Sequence, residues 1–196
     1  FTSDNGGPVD QGAVNTPLRG TKGTTWEGGV RVCTIAWWPG RIPAGTSTDA
    51  ITSMMDVLPT FARLAGTSAP TDRKIDGVDI WPVLAGDPDR PPRDTFYYFL
   101  GLRLEAVRSG PWKLQLASGA LYQLGNDIAE SKNVAAANPE VVKRLRGIAE
   151  AMRSDLGLEG MGPGVRPLGR VANPEPLIAA DGTVRKEMVG ATASFP

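Results

Sequence analysis

Phe1-Thr2-Ser3-Asp4-Asn5-Gly6-Gly7, followed soon after by Leu18-Arg19-Gly20-Thr21-Lys22-Gly23-Thr24-Thr25-Trp26-Glu27-Gly28-Gly29-Val30-Arg31, carries most of the information in this chain. The first stretch places two adjacent oxygen-bearing side chains where an apolar segment ends and a glycine turn begins. The second sets one lysine among glycines, where the backbone can come close to a ligand. Carboxylate and amide oxygens suit a hard divalent cation, and a lysine ammonium suits a tetrahedral oxyanion. A metal and a cation facing one anion form the apparatus for cleaving a sulfate or phosphate ester. Asp-Asn-Gly alone also reads as an ordinary turn, and an isolated loop lysine as a solvated charge.

Working outward, 196 residues allow one ordinary domain, or part of a larger one with a small second unit. A hydrophobic fraction of 41% is sufficient for a core, while 24 glycines and 17 prolines point to long loops. Lys plus Arg and Asp plus Glu balance at 21 each, so no net field draws the chain to nucleic acid or an anionic membrane. No apolar run approaches the length of a membrane span. Histidine is absent, which removes the commonest general acid or base from these residues. The single cysteine, Cys33, excludes an internal disulfide. The opening at Phe1, inside what reads as the end of a strand, is that expected of a fragment whose leader sequence would lie upstream.

Residues 6–30 show no sustained period and read as loop. Residues 31–38 (Arg-Val-Cys-Thr-Ile-Ala-Trp-Trp), closed by Pro39-Gly40, read as a buried strand holding Cys33 as a small apolar residue. Residues 53–65 read as a helix with Asp56 as cap or first-turn acid, Val57, Phe61 and Leu64 on one face, and Gly66 as its stop. Residues 67–92 are rich in Pro, Asp and Gly, with a short apolar turn at 80–84. Segments 95–100, 104–108, 112–117 and 120–124, separated by Gly101, Ser109-Gly110 and Ser118-Gly119, predict an antiparallel meander. Asn138-Pro139-Glu140 opens a helix with the apolar stripe Val141, Leu145, Ile148, Met152 and Leu156, ended by Gly157. The expected division is 1–92 as core, 93–158 as a small sheet with a helix packed on it, and 159–196 as a Gly/Pro-rich arm or tail.

Phe1 to Gly7 and Gly20 to Arg31 together resemble the type I, formylglycine-dependent sulfatases of the arylsulfatase kind, in the alkaline-phosphatase-like superfamily. Trp38-Pro39-Gly40-Arg41-Ile42-Pro43, Asp56-Val57-Leu58-Pro59-Thr60, Val107-Arg108-Ser109-Gly110-Pro111-Trp112-Lys113-Leu114 and Leu121-Tyr122-Gln123-Leu124 extend the likeness to about residue 157. The resemblance implies an α/β fold: the C-terminal part of a sulfatase core plus a four-stranded antiparallel sheet with one helix. It implies that Asp4 and Asn5 supply two oxygens to one Ca²⁺, and that Lys22 contacts the substrate sulfate and serves catalysis. It further implies a formylglycine upstream, since Cys33 is followed by Thr34-Ile35-Ala36-Trp37 and does not match Cys/Ser-x-Pro-x-Arg. Glu27 and Arg31 read as structural. The implied activity is sulfuric ester hydrolysis of an aryl or carbohydrate sulfate in periplasm, lysosome or medium. A phosphonate or phosphate ester hydrolase, or a catalytically dead binder of sulfated glycans, are the alternatives.

Overall fold

The four short segments between residues 95 and 124 pair as their spacing predicts. The computed structural model of the protein describes residues 1–72, 74–87, 93–157, 181 and 183. Strands β1 (Thr95–Leu100), β2 (Arg103–Ser109), β3 (Trp112–Gln115) and β4 (Leu121–Gln123) lie in sequence order, each antiparallel to the next. Gly101 and Gly110 turn the first two connections at φ of 58° and 54°, a region that penalises a Cβ.

Period-two alternation then divides the sheet into two differently employed faces. Leu114 pairs with Leu121, and both point with Leu104 and Val107 into a core closed by Leu145 and Ala149. Those last two residues belong to the helix α4 (Pro139–Leu156), whose Val141, Ile148 and Met152 pack around the same cluster. Full burial of each such leucine stabilises by about 1.5–3 kcal/mol. On the opposite face Lys113 pairs with Tyr122, and there Ala120, Tyr122 and Leu124 pack against Trp26. The glycine-rich loop thus covers one side of the sheet and α4 the other. α4 stops at Gly157, φ 66°, as expected, but the Asn138 side chain does not cap it. Asn138 Nδ2 donates to the Val134 carbonyl at 2.9 Å instead.

The helix foreseen at 53–65 consists of a 3-10 turn, Met54–Asp56, leading into α2 (Val57–Leu64). Its cap is Ser53, which exchanges side-chain and backbone bonds with Asp56 in a capping box. Asp56 is fully buried and accepts from Ser53 N at 2.7 Å and Val78 N at 2.9 Å, and it pairs with Arg93. The expected apolar face is only partly covered, for Phe61 is 63% exposed and Thr60 is the buried member of α2. The apolar turn at 80–84 is a short helix, α3 (Trp81–Leu84), and Trp38 stands edge-on to Trp81 at 5.6 Å.

Residues 31–38 do not form the buried strand their composition suggests. They join no sheet ladder, Cys33 is exposed, and Ile35 and Trp37 are 62% and 84% exposed. A strand is held by its neighbours, and here the pairing amounts to Phe1 and Ile35 exchanging two 2.8 Å backbone bonds. Of the expected arm at 159–196, all but Asp181 and Thr183 lie outside the described residues, as do 73 and 88–92 of the Pro-rich stretch.

Candidate active site and its anchor

Asp4 and Asn5 are joined to the lysine loop through main chain. Gly6 N donates to Gly29 O at 2.9 Å, and Lys22 N donates to Gly7 O at 3.3 Å. Asn15 clamps Gly7 from both sides, accepting from its N–H at 3.0 Å and donating to its carbonyl at 2.8 Å. Thr21 Oγ1 accepts from Val9 N at 2.9 Å and also lies 3.3 Å from Gly7 O. The approach is so close that a Cβ on Gly6 would fall 1.8 Å from Gly28 O, and one on Gly29 would fall 2.2 Å from Thr24 O. The glycines are therefore required here for proximity rather than for turning. Lys22 and Asp4 are exposed, and Asn5 is half-buried.

The far end of the loop descends into a buried charge cluster. The short helix α1 (Glu27–Val30) begins at Glu27, whose Oε1 receives Lys113 Nζ at 2.9 Å and the Tyr98 hydroxyl at 3.1 Å. Glu130 Oε2 receives the Glu27 backbone N–H at 2.7 Å. Lys113 Nζ also lies 2.9 Å from Glu130 Oε1, at an angle that makes it a charge contact without an aligned hydrogen bond. Glu27, Lys113 and Glu130 are 1%, 0% and 0% exposed. Arg108 Nη1 stands 4.0 Å from Glu27 Oε2, bringing a second positive charge against the two carboxylates. Burial pushes the Glu130 carboxyl up, with Lys113 acting against it. Burial, then the neighbouring Glu27 carboxylate, pushes the Tyr98 phenol up strongly, so it remains a donor.

Glu130 also grips the near end of the loop, because its carbonyl accepts Arg19 Nη1 at 3.0 Å. The Arg19 guanidinium lies over the Trp26 ring at 3.8 Å, and Trp26 meets Tyr122 edge-on at 5.8 Å. Glu130 sits at φ 50°, a conformation uncommon outside glycine. The Asp127 turn holds it there: Glu130 N donates to Asp127 O, and the Asp127 carboxylate accepts from Ser131 N and Lys132 N.

The structural role expected of Glu27 thus has its partner in Lys113, while Arg31 pairs at the surface with Asp49 at 3.3 Å. Sequence reading missed Lys113 and Glu130. The one signal for Lys113 was its place in a strand between Trp112 and Leu114, where a charge is ordinarily solvated. Among the described residues the Asp4 carboxylate has one side-chain hydrogen bond, from Ser3 Oγ at 3.5 Å, and the Asn5 side chain has no hydrogen-bond partner. Two hard oxygens at hand fit a Ca²⁺, although no group of three or more His, Cys, Asp or Glu comes together among the described residues. A groove of about 910 Å³, rimmed by Arg103, Arg146 and Arg153, lies beside residues 23–26; neither Asp4, Asn5 nor Lys22 lines it. Among the described residues no helix is long and apolar enough to cross a membrane.

Comparison with known proteins points in one direction. The Sulfatase family model matches residues 1–67. The chain is 41% identical over 144 residues to dog N-acetylgalactosamine-6-sulfatase, covering 68% of this chain and 27% of that protein. It is 42% identical over 125 residues to mouse steryl-sulfatase, covering 58% of this chain and 20% of that protein. The chain therefore spans about a quarter of the length of the curated relatives it matches. Among solved structures, Ps i-CgsB in complex with k-i-k-neocarrahexaose superposes with a TM-score of 0.69 at 32% identity, over 78% of this chain and 35% of that one. The PsFucS1 sulfatase from Pseudoalteromonas sp. gives a TM-score of 0.71 at 26% identity, over 78% of this chain and 36% of that one.

Proposed function

The chain belongs to the sulfatase family and has the α/β fold of its alkaline-phosphatase-like members, and from that premise we propose that it forms the C-terminal part of a sulfuric ester hydrolase. The observation that carries this reading is the backbone junction of the Asp4-Asn5-Gly6-Gly7 turn with the Lys22 loop. It joins two oxygen donors and one ammonium within a single main-chain scaffold.

In this reading Asp4 and Asn5 hold one side of a Ca²⁺, with further ligands from outside these 196 residues. The Lys22 ammonium donates to a non-bridging or leaving oxygen of the sulfate as the S–O bond breaks, which favours the transition state over the bound ester. When present, the cation would supply Lewis-acid stabilisation of the sulfate oxygens, and a formylglycine from another part of the protein the nucleophile. In the same reading the substrate is an aryl or carbohydrate sulfate, and the family resemblance supports an activity in periplasm, lysosome or medium.

The test is Lys22→Ala in the full-length protein, assayed on an aryl sulfate and an aryl phosphate. Loss of one oxyanion donor lowers the rate by about 10²–10³-fold, and an exposed loop side chain should leave the melting temperature nearly unmoved. Unchanged kinetics would remove Lys22 from the site. A wild-type preference for the phosphate would shift the reading to a phosphoester hydrolase, and no turnover of either would favour a sulfated-glycan binder.

A further inference from the structure

We infer that Glu130 is a positioning residue for Lys22: it holds both ends of the lysine loop and ties the sulfate-contacting ammonium to the small antiparallel sheet. The inference rests on Lys22 being that contact. Three residues before Lys22, Arg19 Nη1 donates to the Glu130 carbonyl at 3.0 Å; five residues after it, the Glu27 N–H donates to Glu130 Oε2 at 2.7 Å. One residue, more than a hundred positions away in sequence, thus closes the loop from both flanks.

The closure is reinforced from inside the sheet. Lys113 bridges the Glu27 and Glu130 carboxylates at 2.9 Å each, and its Nζ also sits 4.2 Å from the centre of the Tyr98 ring. The four groups form a ring that runs from the Glu27 main chain through Glu130 and Lys113 back to the Glu27 carboxylate. Between the clamped ends Thr24 N and Oγ1 donate to Thr21 O at 3.1 and 2.7 Å, and at the borders Gly28 N donates to Arg19 O at 2.7 Å and Lys22 N to Gly7 O at 3.3 Å. Residue 130 takes a left-handed backbone conformation at φ 50°, and its α-carbon position directs carbonyl and carboxylate to opposite ends of one loop. Charged-group positioning of this kind acts on rate because a displacement of about 1 Å at a reacting centre costs about 10²-fold.

The experiment compares Glu130→Ala, Glu130→Gln and the core control Leu145→Ala in the full-length protein. Leu145 belongs to α4 and packs in the core between that helix and the sheet, so its truncation removes stability without touching Glu130. Two readouts are taken at a temperature where all variants are folded: amide hydrogen exchange at Gly6, Lys22 and Gly28, and kcat and KM on an aryl sulfate. Glu130→Ala should raise exchange at those amides at least tenfold and lower kcat at least tenfold with a smaller change in KM. Glu130→Gln keeps an oxygen for the Glu27 N–H and should recover part of both effects, while Leu145→Ala should leave both within about twofold.

Exchange at Gly6, Lys22 and Gly28 unchanged by Glu130→Ala would overturn the inference, whatever the activity. Equal losses in Glu130→Ala and Leu145→Ala would reduce Glu130 to a general stabiliser and overturn it too. A wild-type protein without sulfate-ester turnover would instead sink the functional reading, and the exchange data would then decide the clamp alone.

Discussion

Replacing Lys113 by methionine is the sharpest perturbation of this protein. Lys113→Met keeps the length and apolar stem of the side chain and deletes its charge, leaving the Glu27 and Glu130 carboxylates 1% and 0% exposed without their shared cation. Breaking a buried pair from one side costs about 3–5 kcal/mol, because the surviving charge has no water to return to. The two carboxylates are not left without any partner: Glu27 keeps the Tyr98 hydroxyl, and Glu130 keeps the Glu27 N–H.

The pH dependence of that loss has a definite sign. Burial already raises the Glu130 carboxyl, and removing Lys113 takes away the group that opposes the rise. A raised carboxyl favours folding fully below its ordinary value of 4.5, and that contribution is lost as pH climbs through the raised one. The deficit of Lys113→Met should therefore be largest at neutral pH and shrink towards pH 4.5. Urea melts of the full-length protein at several pH values measure it directly. Adding Glu130→Gln should recover part of the loss, since it removes one of the stranded charges. A deficit below about 1 kcal/mol at pH 7, or effects of the two substitutions that simply add, would show that the three groups are not one buried unit.

Three further outcomes follow from the same contacts. Tyr98→Phe should cost about 1.5–3 kcal/mol at pH 7, the range for a hydrogen bond to a charged group; because the native phenol is held well above its ordinary 10, that difference should shrink above pH 10, and a constant gap to pH 11 in denaturant melts would contradict it. Chelation should abolish turnover of an aryl sulfate by the full-length protein and added Ca²⁺ restore it, with Asp4→Ala needing far more Ca²⁺ for half-restoration; indifference to chelator would remove Asp4 and Asn5 from metal binding. The 196 residues alone should hydrolyse no aryl sulfate and should aggregate, since Leu58, Phe61, Ile35 and Trp37 are exposed; metal-dependent turnover, or a sharp melt as a soluble monomer, would refute this.

Local pattern accounts for the elements that satisfy themselves locally. Glycines and serines at 101, 109–110 and 118–119 punctuate the meander, and a hydrophobic rhythm of three and four residues with Gly157 at its end marks α4. The same reasoning failed for residues 31–38, because apolar composition says only that a segment would pack well. Whether it is a buried strand depends on which backbones lie beside it, and here Phe1 is the backbone that bonds it. Asp56 shows the same limit on a smaller scale. Its position suggested a helix cap or first-turn acid, and it does close the capping box with Ser53, but its burial and its bonds to Val78 N and Arg93 come from segments more than twenty residues away.

What the sequence by itself determined is the chemistry on offer: two hard oxygens at Asp4 and Asn5, one ammonium at Lys22, and glycines around both that let main chains approach. Motif chemistry is local, so a short stretch of residues is enough to read it. The tertiary structure alone decided how that loop is held. Sequence reading assigned no role to Lys113 or Glu130, and apart from the place of Lys113 between Trp112 and Leu114 nothing near either in sequence marks it. Strand alternation turns Lys113 to the sheet face opposite α4, and the left-handed turn at residue 130 brings a second carboxylate to it. A charge withdrawn from water has to find its counter-charge in space, and for Lys113 and Glu27 that search is settled by folding over a separation of 86 residues.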